Sequence, residues 1–224
     1  MEEIKIKNLY SLENTATAPL LSKFEYPYEV LPHIKDFILE YGKTLSKDKY
    51  DFIGDDIYIA KSATVAPTAS ITGPCIIGEN TQVRHCAFIR GSVFVGDNCV
   101  VGNSTEVKNV IIFNNVQVPH YNYVGDSILG YRSHMGAGSI TSNVKSDRTL
   151  VKIRVGDKVI ETGVKKVGAF LGDFVEVGCG SVMNPGTIIG KHTSIYPLSM
   201  VRGYIPENSI YKNQGEVAKK LNER

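Results

Sequence analysis

Two basic side chains with an eighteen-residue spacing are the first candidates for chemistry in this 224-residue sequence. Arg90 and Lys108 each directly follow an aliphatic residue, Ile89 and Val107. A structure that repeated every eighteen residues would place both cations on adjacent strands, where opposed like charges destabilise by up to about 1 kcal/mol. An anionic ligand between them would relieve that repulsion, because the arginine fork and the lysine point charge both suit phosphate. The alternative is two solvated side chains that splay apart.

An aliphatic or aromatic residue recurs at every sixth position over much of the chain. The first run, without a miss, comprises Ile53, Ile59, Val65, Ile71, Ile77, Val83, Ile89, Val95, Val101, Val107 and Phe113. A second run comprises Leu171, Val177, Met183, Ile189, Ile195 and Val201. A period of six fits neither the 3.6 of a helix nor the 2 of a simple strand. It is typical of a short strand and a turn, repeated, with one large side chain per unit pointing inward.

Three such units make one triangular coil of eighteen residues, and stacked coils lie about 4.8 Å apart. We therefore predict an all-β solenoid of hexapeptide repeats, with about seven coils, over residues 53–206. In such a solenoid Arg90 and Lys108 occupy equivalent positions on adjacent coils. The coil thereby supplies the eighteen-residue repeat that their proximity requires.

Two terminal segments lie outside the regular repeat. Residues 1–52 are predicted to form a lead-in and a helical cap, because the apolar residues of 27–45 fall on one helical face that can cover the first coil. Residues 207–224 are predicted to form a C-terminal tail or helix, with Glu216 four residues before Lys220.

A loop excursion over residues 143–170 interrupts the repeat. Within it, residues 149–155 and 158–162 are predicted to form a β-hairpin around a Gly-Asp turn. A loop outside a regular coil has no role in the core, so a functional loop is the first hypothesis. The excursion contains six cations, which are Lys145, Arg148, Lys152, Arg154, Lys165 and Lys166. They would suit the phosphates of a nucleotide cofactor, although a solvated basic hairpin explains them equally well.

The composition excludes several classes of function. Twenty-five basic against 23 acidic residues leave a net charge of +2, which argues against nucleic-acid and membrane-surface binding. No apolar run is long enough to span a bilayer, and the N-terminus lacks the layout of a signal peptide. The four cysteines contain no Cys-x-x-Cys pair, which argues against a zinc ribbon. We expect four small buried side chains in a reducing cytoplasm.

His120 lies where the repeat breaks. It follows Pro119, which stands in the place of an aliphatic residue, and the next inward residues are predicted to be Val124 and Leu129. Two units are thereby shortened from six residues to five, and such a defect can re-aim a side chain. A lone histidine is more often structural than catalytic. Here the break, the neighbouring Tyr123 and the nearby excursion favour a catalytic role.

Three stretches, VGNSTEVKN, VPHYNYVGDSILG and SHMGAGSITSN, resemble the acetyltransferase half of bifunctional N-acetylglucosamine-1-phosphate uridyltransferases. The resemblance extends to stand-alone and archaeal sugar-phosphate transferases and covers the chain from Ile53 onward. It implies a left-handed parallel β-helix, a homotrimer with active sites between subunits, and acetyl-CoA as acyl donor. No glycine-rich G-x-G-x-R opening precedes the repeats, so it implies acetyl transfer to an amino-sugar 1-phosphate without uridyl transfer.

The resemblance assigns the acceptor side residue by residue. Arg90 and Lys108 match the pair that holds the sugar phosphate. His120 matches the general base that takes a proton from the attacking 2-amino group, a task that suits an imidazole with a pKa near 6.5. Tyr123 matches an aromatic residue that contacts the sugar, and His134 stands where the family has a sugar-contacting asparagine.

The donor side is matched less closely. Ala137, within Gly-Ala-Gly, matches a backbone position that lines the acetyl-CoA channel, and Asn143 matches an asparagine near the thioester. Val144 replaces a tyrosine that archaeal-type relatives also lack, and Cys179 replaces a serine associated with acetyl-CoA. The Gly-Ala-Gly N–H groups or the Asn143 side chain would stabilise the thioester oxyanion in a direct transfer.

Two other functions stay open. The chain would be a non-catalytic module that binds a sugar phosphate or a nucleotide sugar if Arg90 and Lys108 bind without any acetyl transfer. It would resemble the trimeric zinc carbonic anhydrases with hexapeptide repeats if His85, His120 and His134 held a metal ion. That family has two histidines five residues apart, whereas His120 and His134 are fourteen apart.

Overall fold

The computed structural model describes residues 1–212 and 217–219, and it begins with short helices. The α-helices are α1 (Ile6–Leu9), α2 (Ala18–Leu21), α3 (Pro27–Val30) and α4 (Ile34–Gly42), and 3-10 turns lie at Glu2–Ile4, Leu12–Asn14 and Leu31–His33. The predicted helical segment is therefore present as consecutive short pieces. No helix in the described part of the chain is long and apolar enough to cross a bilayer.

The rest of the described chain is made of short strands. The strands up to the excursion are β1 (Tyr50–Phe52), β2 (Ile57–Ala60), β3 (Thr64–Val65), β4 (Ser70–Thr72), β5 (Cys75–Ile77), β6 (Gln82–Val83), β7 (Phe88–Arg90), β8 (Val93–Val95), β9 (Val100–Asn103), β10 (Glu106–Ile112), β11 (Gln117–His120), β12 (Tyr123–Leu129), β13 (His134–Met135) and β14 (Ile140–Thr141). The later strands are β15 (Lys152–Val155), β16 (Lys158–Glu161), β17 (Ala169–Leu171), β18 (Glu176–Val177), β19 (Val182–Met183), β20 (Thr187–Ile189), β21 (Ser194–Ile195), β22 (Met200–Val201), β23 (Tyr204–Ile205), β24 (Ser209–Tyr211) and β25 (Val217–Lys219).

Parallel pairing between strands one coil apart builds three sides, which we call faces 1, 2 and 3. Face 1 contains β2, β5, β8, the end of β10, the end of β12, β17, β20 and β23. Face 2 contains β3, β6, β9, β11, β13, β18, β21 and β24. Face 3 contains β4, β7, the start of β10, the start of β12, β14, β19 and β22. These ladders confirm the predicted parallel β-helix, with seven complete coils and part of an eighth in the described residues.

Residues in the left-handed backbone region form the corners between faces. They recur six residues apart at Asn80, Cys86, Ser92, Asn98 and Ser104. Asparagine tolerates this region better than most residues, which favours sharp turns at these points. Where turns of successive coils nearly touch, only glycine fits: a Cβ on Gly102 would lie 1.7 Å from the carbonyl oxygen of Pro119.

The register corrects one part of the predicted repeat. Ile112 pairs with Val95, so Ile112 occupies the inward row that the six-residue count assigned to Phe113. Val118 pairs with Val101, so Val118 and not Pro119 points inward in the next unit. The first five-residue unit therefore precedes Ile112, and the unit before Val124 has six residues. Phe113 is buried because its ring packs on Tyr10, 5.2 Å away between ring centroids, outside the coil.

The N-terminal helical segment lies along the side of the solenoid, which differs from the predicted cap over the first coil. Helix α4 packs on β5, β8 and β10 of face 1. Farther along the solenoid, the buried Asp173 donates its backbone N–H to the carbonyl oxygen of Leu9 (3.1 Å) and accepts the Ser11 N–H at 2.8 Å. The sheet edge of the first coil is covered instead by β1, which pairs antiparallel with β2.

The predicted hairpin of the excursion is present, because β15 and β16 pair antiparallel from Lys152–Glu161 to Val155–Lys158. At the C-terminus, β25 pairs antiparallel with β24, so residues 217–219 form a strand where a tail or helix was predicted. Glu216 and Lys220, the predicted helical ion pair, lie outside the described residues.

The cysteines are divided between interior and surface. Cys75 and Cys99 are buried, and burial raises the pKa of each thiol to about 12. Cys86 and Cys179 are exposed, which contradicts the expectation of four buried side chains. Both exposed cysteines lie in turns between faces 2 and 3, where the chain leaves the core.

Candidate functional site

The two candidate phosphate-binding cations lie side by side, as the eighteen-residue spacing predicts. Strand β10 pairs with β7 so that Glu106 faces Phe88 and Val107 faces Ile89, which places Lys108 beside Arg90 on face 3. Each cation has a carboxylate partner: Arg90 Nη1 lies 2.5 Å from Glu106 Oε1, and Lys108 Nζ lies 3.7 Å from Asp126 Oδ2. The Glu106 hydrogen bond raises the pKa of the Arg90 guanidinium. The carboxylates therefore offset the predicted repulsion between the two cations.

Asp126 lies at the centre of a group of polar side chains, the Asp126 cluster, and no role was predicted for it from the sequence. The other members are Arg90, Glu106, Lys108, Asn109, Tyr123 and Asn143. Asp126 is only 4% exposed, and its backbone is in the left-handed region at the corner between faces 3 and 1. Its carboxylate accepts hydrogen bonds from Asn109 Nδ2 at 2.9 Å and Asn143 Nδ2 at 2.5 Å. The signal in the sequence is the spacing, since Asn109 lies seventeen residues before Asp126 and Asn143 lies seventeen after it.

Tyr123 and Asn143 join the cations to the start of the excursion. Tyr123 faces Glu106 on the adjacent strand, and its hydroxyl accepts a hydrogen bond from Asn143 Nδ2 at 3.1 Å. Burial raises the pKa of the Tyr123 hydroxyl, which keeps it protonated at neutral pH. The structure thus brings together Arg90, Lys108, Tyr123 and Asn143, all four predicted from the sequence.

His120 lies at the other edge of face 3, at the corner with face 2. It pairs with Asn103, two positions after the inward Val118, and not directly after an inward residue as predicted. Its backbone N–H donates to Asn122 Oδ1 at 3.1 Å, and Asn122 is buried. The His120 imidazole is exposed and makes no hydrogen bond or ion pair within residues 1–212 and 217–219. Within the described chain it forms no hydrogen bond or ion pair with Asp126 or its partners.

Two of the predicted donor-side residues stack on His120 in successive coils. The carbonyl oxygen of His120 accepts the N–H of Gly138 at 3.0 Å, and that of Ala137 accepts the N–H of Gly180 at 2.8 Å. Ala137 and then Cys179 therefore follow His120 along this corner. Val144 lies apart from them, on a groove between the hairpin and face 3.

His134 does not join the acceptor cluster. It lies on face 2, where His134 Nδ1 is 3.0 Å from Glu176 Oε2 on the adjacent strand. The three histidines of the zinc alternative are likewise separate, because Asn103 stands between His85 and His120 in their row. Among the described residues no group of three His, Cys, Asp or Glu side chains is arranged to hold a metal ion.

Comparison with known proteins adds two kinds of similarity. A family model described as the GMPPB C-terminal domain matches residues 71–193. A bifunctional sugar-1-phosphate nucleotidylyltransferase/acetyltransferase of Sulfurisphaera tokodaii is 35% identical over 106 residues, which are 47% of this chain and 26% of that protein. A bifunctional protein GlmU of Methanococcus vannielii is 34% identical over 162 residues, which are 71% of this chain and 34% of that protein. The chain thus spans about a quarter to a third of these relatives' lengths.

Two solved structures are similar at low identity. A point mutant of AntD, an N-acyltransferase from Bacillus cereus in complex with dTDP-4-amino-4,6-dideoxyglucose and coenzyme A, has a TM-score of 0.43 and 17% identity, and the match covers 81% of this chain and 89% of that one. PerB from Caulobacter crescentus, in complex with CoA and GDP-perosamine, has a TM-score of 0.39 and 17% identity, over 72% of this chain and 56% of that one.

Proposed function

The chain belongs to the family described as the GMPPB C-terminal domain, and from that premise we propose that it transfers an acetyl group from acetyl-CoA to the amino group of an amino-sugar 1-phosphate. The observation that carries the proposal is the cluster on face 3. Arg90 and Lys108 lie on adjacent strands beside Tyr123, and Asn143 connects this group to the excursion. The similarity to curated sugar-1-phosphate acetyltransferases supports the same class of substrate.

The phosphate would bind between Arg90 and Lys108. Their present partners, Glu106 and Asp126, are carboxylates that a phosphate dianion can replace without leaving either cation unpaired. Arg90 is exposed and Lys108 partly so, so both are open to a ligand from solvent. The sugar ring would then lie against Tyr123, whose hydroxyl stays protonated and able to donate.

His120 would take a proton from the attacking amine, because an ammonium group has no lone pair with which to attack a thioester. The amine nitrogen forms a bond to the acetyl carbon, and the carbon–sulfur bond breaks as the thiolate of CoA leaves. His120 then gives this proton to the leaving thiolate, so that the products are the amide and the free thiol of CoA. A covalent enzyme intermediate is not needed in this direct transfer.

The structure favours one of the two predicted oxyanion donors. Both Asn143 amide hydrogens are engaged, by Tyr123 and by Asp126. In the Gly-Ala-Gly turn, the N–H groups of Gly136 and Gly138 donate to backbone carbonyls, whereas the N–H of Ala137 has no hydrogen-bond partner among the described residues. We assign the Ala137 N–H to the thioester oxyanion, since a preoriented free donor is what such a charge requires.

We further propose that the protein is a homotrimer in the cytoplasm, with active sites between subunits. The corner that carries His120 exposes large apolar side chains, with Tyr121 at 65% and Leu198 at 85% exposure, and burial against a second copy would remove them from water. The same contact would bring a second chain's residues to the unpartnered His120. All four cysteines are free, which suits a reducing compartment. Light scattering on the purified protein should give three times the 24.6 kDa chain mass.

The test of the activity is release of CoA thiol from acetyl-CoA and glucosamine 1-phosphate. We expect turnover in the native chain and a loss of about 100-fold or more in His120→Ala, with an unchanged far-UV spectrum. His85→Ala is the matched control, because His85 is exposed in the same row of turns and should leave the rate unchanged. Reactions without sugar phosphate correct for the exposed thiols of Cys86 and Cys179. An active His120→Ala enzyme would refute the base assignment, and sugar-phosphate binding without thiol release would favour the non-catalytic module.

A further inference from the structure

A basic groove of about 430 Å³ lies between the hairpin and the late coils of face 3. Its lining contains no acidic residue. It contains four cations, which are Lys145, Lys152, Arg154 and Arg202. The groove begins beside Asn143, because Ser142 and Val144 both contribute to its wall. Its wall therefore starts with the sequence neighbours of Asn143, and the groove extends away from Arg90 and Lys108.

Two of the four cations lack a counter-charge. Lys145 lies 3.2 Å from Asp147, and Lys152 lies 2.5 Å from Glu161, so both lysines have acidic partners on the excursion. Arg154 and Arg202 form no ion pair with any of the residues that the structure describes. Two guanidinium groups that share a concave wall without a carboxylate raise the local positive potential and favour an anion.

The hairpin is packed firmly enough to present Arg154 in a defined place. The side chains of Val151 and Ile153 are fully buried beneath it. Gly203, directly after Arg202, has a left-handed backbone, and a Cβ there would lie 3.1 Å from the carbonyl oxygen of Arg154. The absence of a side chain at Gly203 thus lets the hairpin backbone approach the coil and brings Arg154 next to Arg202.

The groove is too far from the first cation pair to share one phosphate with it. Lys108 faces Gly125 on the next coil, and the same row continues through Ser142 and Asn184 to Arg202. Four coil steps at about 4.8 Å each separate Lys108 from Arg202 by about 19 Å. The three intervening residues are uncharged. The row therefore has two cationic ends, and they are too far apart for one phosphate to bind both.

We propose that Arg154 and Arg202 bind the phosphate groups of the acyl donor, the phosphorylated nucleotide end of coenzyme A. The inference rests on the proposed function, in which the acceptor phosphate occupies the Arg90–Lys108 end. A nucleotide-sugar acceptor would not place a phosphate in the groove, because its second phosphate shares a bridging oxygen with the first and therefore stays near Lys108. In acetyl-CoA the pantetheine chain separates the thioester from the phosphates, so the phosphates can lie in the groove at Arg154 and Arg202 while the thioester lies at the Ala137 N–H, at the other edge of face 3.

Calorimetry on the full chain tests the site without any need for turnover. The probes are CoA, dephospho-CoA and a nucleotide sugar, and the variants are Arg154→Gln, Arg202→Gln and the double variant. We expect the double variant to bind CoA about 100-fold more weakly, since two charge-assisted hydrogen bonds are lost. Lys158→Gln is the matched control, because Lys158 lies on the same hairpin but outside the groove, and its affinity for CoA should stay within twofold of the native value.

The outcomes separate this inference from the proposed function. Equal CoA affinity in the native chain and the double variant, with thiol release intact, would overturn the groove assignment and leave the acetyltransfer standing. Arginine-dependent CoA binding without thiol release would support the groove and refute the activity. A double variant that loses nucleotide-sugar binding but retains CoA binding would overturn the donor assignment. In the kinetic assay, KM for acetyl-CoA should rise in the double variant while KM for acetyl-pantetheine, which lacks the nucleotide, stays unchanged.

Discussion

Replacing Asp126 by asparagine should separate the positioning of Asn143 from the binding of phosphate. Asparagine has nearly the same shape and tolerates the left-handed backbone of this corner, so the substitution adds little strain. The asparagine side chain has one oxygen that can accept hydrogen bonds, where the carboxylate has two. The amide groups of Asn109 and Asn143 both donate to Asp126, so one of them must then face an NH2 group.

The magnitude follows from these contacts. A buried donor left without an acceptor costs about 1–3 kcal/mol. Loss of the Lys108 ion pair, which is 3.7 Å long and partly exposed, adds about 0–1 kcal/mol. We expect the free energy of unfolding to fall by about 2 kcal/mol, which for a chain of this size lowers the melting temperature by about 4–8 °C.

The kinetic constants test the role of the cluster more specifically than the stability does. Asn143 holds the Tyr123 hydroxyl, against which the sugar ring is proposed to lie, so kcat should fall by about tenfold or more when Asn143 loses its carboxylate partner. KM for the sugar phosphate should stay the same or fall, because Lys108 loses the anion that competes with the phosphate. Thermal denaturation and thiol-release kinetics measure the two effects separately.

The matched control is Asp97→Asn at the corner between faces 1 and 2, where the Asp97 carboxylate accepts the N–H of Glu79 at 2.7 Å. It should lower stability without changing kcat. An Asp126→Asn protein with native stability and native kcat would refute the cluster as described. A raised KM with unchanged kcat would instead mean that Asp126 contacts the sugar directly.

Two further substitutions test contacts around the site and along the N-terminal segment. Glu106→Gln removes the carboxylate that holds Arg90, so KM for the sugar phosphate should fall by about two- to fivefold in steady-state kinetics; a higher KM would show that Glu106 itself binds the sugar. Asp173→Ala removes the acceptor of the Ser11 and Tyr131 N–H groups and leaves Lys191 unpaired, so unfolding in urea should show a loss of about 3–5 kcal/mol. Asp147→Ala is the control, because Asp147 is the exposed partner of Lys145, and it should change the free energy of unfolding by no more than about 0.5 kcal/mol.

The side-by-side placement of Arg90 and Lys108 was predictable from the sequence because each coil repeats the same strand and turn. The hydrophobic residues at six-residue spacing set the coil length, and stacking then sets which residues share a row. Asn109, Asp126 and Asn143 follow the same logic at seventeen residues, because each of the two coil steps between them contains one five-residue unit.

The position of His120 within its turn was predicted one place too early for a physical reason. Phe113 is large, apolar and fully buried, which are the properties of an inward residue. Its burial comes from Tyr10 of the N-terminal segment, so a side chain outside the coil mimicked the core pattern. The six-residue count then passed through Phe113 and Pro119, although Ile112 and Val118 fill the interior.

The sequence by itself determined the length of the coil, the presence of two shortened units and the stacking of Arg90 on Lys108, because these depend on spacing between neighbouring repeats. The position of the first shortened unit came from the strand register. Only the tertiary structure decided that the N-terminal helices lie along face 1, that Glu106 and Asp126 neutralise the first two cations, and that Arg154 meets Arg202 across a groove. Those contacts join segments that do not repeat. Their docking depends on the shape and charge of surfaces that exist only after the coils have stacked.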